Sequence, residues 1–352
     1  MQTTFTGALM RVLSRSLFVA LLTVSACVPE EPPIDLGSDP KDLSLADAGM
    51  PMDATPDVAL VDAAVDALPP VDAASVCPSF ETGVSVGKTP MGDIKEASGI
   101  VASRRSPGTL WVHNDSGASA TLYALTSTGA MQAIYNLDGA SAQDWEDIAI
   151  GPGPVAGTSY LYVGDIGDNG TSRTNIVVYR VPEPDAKTGS PTMPTKLSSV
   201  ERITLNYPDK PHNAETLLVD PKNGDLYIVV KSSDGDSPVF RAAAPLSTGA
   251  AMKLEQVARL RFGTAPLLGA ATTTGGDISP DGDEIAIRSY TAAYLWRRAP
   301  GQSIGDALTS APCQIPLKLE LQGEALGFAL DRKGYFTVSE GQSQPIYLYA
   351  RK

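Results

Sequence analysis

The same short phrase recurs five times between Glu96 and Glu324: an acid, a small or polar residue, an apolar run, a tight turn and a second apolar run. The copies are Glu96-Ala-Ser-Gly-Ile, Glu146-Asp-Ile-Ala-Ile, Glu215-Thr-Leu-Leu-Val, Asp277-Ile-Ser-Pro and Glu324-Ala-Leu-Gly-Phe. Strand-like segments repeating at this interval, roughly 45–70 residues, each make one sheet that cannot bury both faces alone. The expected fold class is therefore all-β, a β-propeller. Its symmetry would bring the five acids to one end of a central channel.

Each copy continues through a turn rich in Pro, Asn, Asp and Gly: Ser103-Arg-Arg-Ser-Pro-Gly, Gly151-Pro-Gly-Pro, Asp220-Pro-Lys-Asn-Gly, Ser279-Pro-Asp-Gly and Asp331-Arg-Lys-Gly. Such residues supply the preset or positive φ angles that hairpins need. Second strands are expected over 109–112, 160–163, 225–230, 284–287 and 335–338, and third strands over 121–125, 175–181, 238–242, 292–297 and 345–350. Fourth strands are expected over 131–137, 200–206, 254–262 and 315–321. The fifth copy runs out at Lys352 without one. Residues 82–88 could supply it and close the ring, hiding a sheet edge. This predicts five blades. A sixth, degenerate blade within 184–197 or 263–274 is the alternative, and a β-sandwich with accidental similarity is the competing fold.

The N-terminal quarter has a different character. Residues 1–26 place Arg11 and Arg15 before an apolar stretch at 17–24, too short to span a bilayer. The segment ends Val24-Ser-Ala-Cys27, which resembles the lipobox of bacterial lipoproteins. The resemblance implies cleavage before Cys27 and acylation of that residue. An ordinary secretory signal is the alternative. Each buried methylene of an acyl chain adds about 0.8 kcal/mol, so several chains anchor stably. Val28 follows the cysteine rather than an acid, which favours the outer membrane over the inner.

Residues 27–76 carry eleven acids against Lys41 alone, with no aromatic residue. Too little apolar surface is present to offset the entropy of ordering, so this stretch is expected to be a disordered acidic tether. The chain's net charge is −13. The signal-like segment holds +2 and the tether −10, leaving −5 for the domain at 77–352. An acidic surface without a basic stripe makes nucleic acid a poor partner and cations better ones. A monomer is expected. With Cys27 acylated, Cys77 and Cys313 remain, an even pair outside the cytoplasm, and a disulfide between them is expected.

In a propeller blade the start of the first strand and the loop after the second share one face. That places Glu96, Glu146, Glu215, Asp277 and Glu324 beside the loops His113-Asn-Asp-Ser-Gly, Asp165-Ile-Gly-Asp-Asn, Ser232-Ser-Asp-Gly-Asp, Arg288-Ser-Tyr and Glu340-Gly-Gln-Ser. Converging carboxylates must protonate, pair with a base or bind a cation. Lys231, Arg288 and Arg173 are the available bases. Hard oxygen donors without thiolates favour Ca²⁺ or Mg²⁺ over zinc, and Ca²⁺ accepts about six to eight oxygens in a flexible site. The candidate ligands are the five acids with Asp115, Asp168 and Asn169. The competing reading is that each acid accepts backbone N–H bonds and braces its own blade.

Catalytic candidates are Glu146, Asp147 and His113. His113 and His212 are the only histidines, so a three-histidine zinc site is excluded. No Gly-x-Ser-x-Gly elbow and no phosphate-cradling Gly loop occurs. Trp145 could stack on a flat ligand or pack in the core.

The passages Glu96-Ala-Ser-Gly-Ile, Leu110-Trp-Val-His-Asn-Asp-Ser-Gly, Asp144-Trp-Glu-Asp-Ile-Ala, Tyr162-Val-Gly-Asp-Ile-Gly-Asp-Asn, Gly276-Asp-Ile-Ser-Pro-Asp-Gly and Val338-Ser-Glu-Gly resemble those of uncharacterised secreted bacterial β-propeller lipoproteins. More distantly they are similar to the SdiA-regulated and phytase-esterase-like propellers. The resemblance implies a propeller with an acidic, calcium-binding funnel. It carries over no reaction, and the basic cluster that phosphate-ester binding would want is missing. The functional expectation is a lipid-anchored envelope module that binds a ligand or protein at its mouth. The alternative is a metal-dependent hydrolase of an ester, lactone or phosphate ester.

Overall fold

The computed structural model describes residues 77–117, 119–262 and 271–352. The signal-like segment, Cys27 and the tether lie outside these residues.

Five sheets form, and each is one blade. Blade 1 contains Ala97–Ala102, Thr109–Asn114, Thr121–Thr126 and Met131–Leu137, with Thr195–Leu197 added in parallel at its outer edge. Blade 2 contains Trp145–Pro152, Ser159–Asp165, Ile176–Pro182 and Glu201–Asn206, with Met252–Lys253 added likewise. Blade 3 contains Ala214–Val219, Leu226–Val230, Asp236–Ala242 and Glu255–Arg261. Blade 4 contains Thr273–Ile278, Glu284–Ser289, Ala293–Arg297 and Cys313–Ile315. Blade 5 contains Gly323–Phe328, Gly334–Ser339 and Pro345–Ala350.

Blade 5 takes its outer strand from the other end of the domain. Val84–Lys88 pairs antiparallel with Pro345–Ala350, so the ring closes as the sequence predicts. Cys77 is bonded to Cys313, which ties the same N-terminal segment to the outer strand of blade 4. Of the two candidate regions for a sixth blade, 184–197 contributes to blade 1 and the described end of 263–274 opens blade 4. Thr195–Leu197 joins blade 1, and Thr273–Ile278 begins after 263–270, which lies outside the described residues.

The outer strand of blade 4 corrects one expectation. It runs over Cys313–Ile315 rather than 315–321. The chain then leaves the sheet and crosses to blade 5. Glu320 turns inward to pair with Arg288 at 2.7 Å, while Leu319 and Leu321 face solvent. A short helix, Ile304–Ala307, capped by the Ser303 side chain, links the last two strands of blade 4.

The innermost strands of consecutive blades pack around the ring, blade 5 against blade 1 included. Strand alternation explains how. Leu161 and Val163 point toward blade 1, and Tyr160 and Tyr162 point toward blade 3. A strand buried on both faces needs a near-continuous apolar run, which is what these segments carry. The result is five hydrophobic clusters, one per blade interface. Each fully buried Leu, Ile or Val contributes about 1.5–3 kcal/mol.

Inner strands approach so closely that small residues become obligatory. A Cβ on Gly275 would sit 2.2 Å from the carbonyl oxygen of Glu324 in the next blade. Only glycine allows that approach.

Candidate functional site

Every innermost strand slips register at its second residue. The slips fall between Ala97 and Gly99, Trp145 and Asp147, Ala214 and Thr216, Thr273 and Gly275, and Gly323 and Ala325. A bulge leaves one residue unpaired and re-aims its side chain. The bulged residues are Ser98, Glu146, Glu215, Thr274 and Glu324, which makes these the five equivalent positions.

This corrects the alignment of acids read from the sequence. Glu146, Glu215 and Glu324 are equivalent, whereas Glu96 and Asp277 are not. Glu96 lies two residues before the bulge of blade 1 and is exposed. Asp277 lies three residues past the bulge of blade 4, deep in the ring. Its Oδ1 accepts the Ile278 N–H and its Oδ2 accepts the Phe328 N–H of blade 5, both at 2.8 Å. Ser98 and Thr274 take the vacated positions. Ser98 Oγ donates to the Glu146 carbonyl and lies 3.3 Å from Glu324 Oε2. Thr274 Oγ1 donates to the Gly323 carbonyl at 3.0 Å. Aligning the repeats on the following apolar residue (Ile100, Ile148, Leu217, Leu326) would have found Ser98.

The bulges aim three carboxylates into the mouth, and a base answers them. Lys231 Nζ lies 2.8 Å from Glu215 Oε1 and 3.3 Å from the Tyr290 hydroxyl, which donates to Glu324 Oε1 at 3.1 Å. Burial opposes the charge on Lys231, but Glu215, Tyr290 and Glu324 outweigh it, and its pKa is raised. Burial, then Glu215, pushes the Glu146 carboxyl up, with Asp115 and Asp144 adding to the effect. Burial also raises Glu215, and Lys231 pulls it back. Glu215 Oε2 is buried with no hydrogen-bond partner. Lys231 answers Glu215, while Glu146, buried beside Glu215, has no base of its own, and its protonated form is favoured.

Above this layer sits a rim of acids on the loops and strand entries. Oxygens of Asp115, Glu324 and Glu340 lie within 4.8 Å of one another, and so do oxygens of Asp115, Asp144 and Glu146. Asp115 is common to both groups. Burial pushes its carboxyl up to about 6, with Glu324, Asp144 and Glu96 raising it further. Burial and then Glu324 raise Glu340. Gly167 permits the crowding, since a Cβ there would meet Glu146 Oε1 at 2.1 Å and Asp144 Oδ2 at 2.5 Å. An all-oxygen donor set with little opposing charge suits Ca²⁺, which takes about six to eight oxygens in flexible geometry.

The remaining predicted site residues go elsewhere. Asp147 is buried beneath Glu146, where its Oδ1 accepts the Ile148 N–H at 2.8 Å and its Oδ2 the Leu217 N–H of blade 3 at 3.0 Å. It braces two blades, as Asp277 does. His113 has no exposed surface. Burial lowers its pKa to about 4 against the pull of the Asn114 and Asp147 carbonyls, so it is a neutral core ring packed edge-on to Trp145. Trp145 is itself fully buried, its indole N–H bonded to the Ser141 carbonyl, so it offers no face to a ligand. Asp168 Oδ2 accepts the Arg173 N–H at 2.8 Å, and Arg173 pairs with Asp165 at 2.8 Å. Asn169 Oδ1 lies 3.3 Å from the Asn213 amide. Asp168 is in neither rim group, and the Asn169 amide oxygen accepts from Asn213. His212 lies 3.1 Å from Asp209 and packs against Tyr207 and Phe240.

The molecule is thus a five-bladed β-propeller with a carboxylate-rich mouth. No protein-family model matches the chain, and no curated protein matches it. Among solved structures it is similar to the β-propeller domain of Cps50 (Swd1) from Myceliophteria thermophila, at 9% identity and a TM-score of 0.37, over 76% of this chain and 99% of that one. That likeness concerns fold alone.

Proposed function

We propose that this protein is a binding module of the bacterial cell envelope, held by a lipid on Cys27 and an acidic tether, that takes Ca²⁺ at the propeller mouth and recognises its ligand or protein partner there. The supporting observation is Asp115, one carboxylate shared by two rim groups of three acids. Of the three bulge glutamates, Glu215 has Lys231 as its counter-charge, while Glu146 and Glu324 face the rim acids without an ion pair of their own among the described residues. Asp115, Glu324 and Glu340 would hold one ion, with Asp144 and Glu146 on the other side of Asp115. Of the eight ligand candidates read from the sequence, Asp115, Glu324 and Glu146 belong to this reading. Glu215 belongs to Lys231, Asp277 to the blade interface, and Glu96, Asp168 and Asn169 lie outside the groups.

The deciding experiment is thermal denaturation with Ca²⁺ and with chelator. A melting temperature raised by Ca²⁺ in the wild type and insensitive to it in Asp115→Asn is the expected result. A wild type indifferent to chelator refutes the metal reading. Anchoring is tested separately, by membrane partition of the wild type and of Cys27→Ala.

Glu146 supports a second reading, a metal-dependent hydrolase. A carboxyl held neutral next to a cation site has the properties of a general acid. Asp147 and His113 are walled off from the mouth, so Glu146 is the candidate that remains. Turnover of a chromogenic ester or phosphate ester, abolished in Glu146→Gln, would establish it.

A further inference from the structure

The geometry points to a second site, at the opposite end of the channel, where Arg104 receives a small oxyanion, a carboxylate or phosphate group. Arg104 lies in the turn between the first two strands of blade 1, on the face away from the mouth. Its backbone is held rigidly from blade 2. Glu183 accepts the Arg104 N–H through Oε1 and the Arg105 N–H through Oε2, each at 3.2 Å.

The guanidinium is mostly buried and poorly matched. Nη2 donates to the Ile150 carbonyl at 3.0 Å, while Nε is buried with no hydrogen-bond partner. Two carboxylates influence it, Asp277 and Glu183, and both act only at a distance. Their oxygens are already used. Asp277 accepts two backbone N–H groups, and Glu183 accepts Ser103 Oγ, Trp111 Nε1 and Ser159 Oγ in addition to the two turn amides. A buried cation without a contacting anion is costly. Burial accordingly lowers the Arg104 pKa, with Asp277 and Glu183 opposing.

A cleft of about 560 Å³ opens beside Arg104 and Arg105, with Thr158, Ser159 and the Glu183 carboxylate, whose oxygens already accept other donors, on its wall. An oxyanion there would meet the terminal nitrogens of the Arg104 guanidinium from the cleft side, Nε being buried on the other, as an arginine receives carboxylates and phosphates. Arg105, which donates through Nη1 to the Glu183 carbonyl at 3.3 Å, adds a second positive charge at the entrance. The propeller would then be polar along its axis, taking cations at one end and anions at the other.

The test is isothermal titration of the full chain with inorganic phosphate and, separately, with succinate, in chelator so that the outcome does not depend on the mouth. Saturable binding of one or both at millimolar concentration is expected. Which anion binds identifies the source of the oxyanion. Arg104→Gln should weaken it at least about tenfold, or ~1.4 kcal/mol. If that variant does not fold, Arg104→Lys keeps the charge but loses the fork, and a similar loss is expected. No saturable binding of either anion overturns the proposal. Undiminished binding in a folded Arg104 variant overturns it equally.

Discussion

Lys231 Nζ lies 2.8 Å from Glu215 Oε1, at the level where three blades aim a glutamate into the channel. Among the described residues, the Lys231 ammonium is the base that forms an ion pair in this layer, and it divides the acids into two sets. Glu215, which it contacts, is compensated. Those at the rim are left to external cations.

Removing the base should be costly. Lys231→Met leaves Glu215 buried without its counter-charge. Loss of one partner of a buried pair costs about 3–5 kcal/mol, and the partial exposure of Lys231 brings the expectation to roughly 2–4 kcal/mol. The urea midpoint should fall accordingly, and adding Glu215→Gln should restore part of it. A single variant as stable as the wild type would show that the pair has no such role.

The rim should couple metal to stability. At a free Ca²⁺ concentration about a hundredfold above Kd, the folded state gains about 2.7 kcal/mol. Glu340→Gln, which removes one donor from one group, should reduce that gain, while Glu96→Gln should leave it in place. Calorimetric melting across a Ca²⁺ series reads both.

Asp277 should make stability depend on pH. Its ordinary value is 3.8, and burial pushes it up to about 7 against the Phe328 N–H, Arg104 and the Ile278 N–H. A raised carboxyl binds its proton more tightly in the folded state. Its contribution is therefore full below about pH 4 and is lost as pH rises through about 7. The stability of the wild type relative to Asp277→Asn should decline over that window and level off above it. Chemical denaturation at several pH values measures this, and a constant difference contradicts it.

Gly275 should tolerate no side chain. In Gly275→Ala the new Cβ would press on the Glu324 carbonyl at 2.2 Å. Backbone cannot yield as a side-chain tip does, so a loss of about 1–3 kcal/mol is expected. The equilibrium unfolding midpoint reports it. Because Glu324 belongs to the rim, Ca²⁺ affinity should fall with it.

Much of the architecture was legible in the chain. Residues 131–137 were read as a strand with the boundaries observed, and the hairpin turns announced themselves through Pro, Asn, Asp and Gly. The closing strand at Val84–Lys88 and the Cys77–Cys313 bond followed from counting, since one blade lacked a strand and two cysteines lacked partners. Residues 315–321 misled. Their alternating leucines look like a strand, but Glu320 within them is drawn to Arg288 across a blade interface, which leaves Leu319 and Leu321 outside.

The site was legible only in outline. Charge and recurrence announced an acidic mouth, but not which acids share a level. Glu96 and Asp277 fit the written pattern, yet Ser98 and Thr274 occupy the equivalent places, because a one-residue bulge decides which side chain turns inward. A bulge depends on the pairing partner as much as on the strand itself.

Period-two patterning and turn chemistry are local, so the order of residues alone pointed to blades and to the way the circle shuts, while the packed sheets decided five over six. The pairing of Glu215 with Lys231, the bracing of blade 3 by Asp147 and the sharing of Asp115 between two groups arise between segments far apart in the chain. They depend on distances of a few ångströms, which exist only once the five sheets have packed against one another.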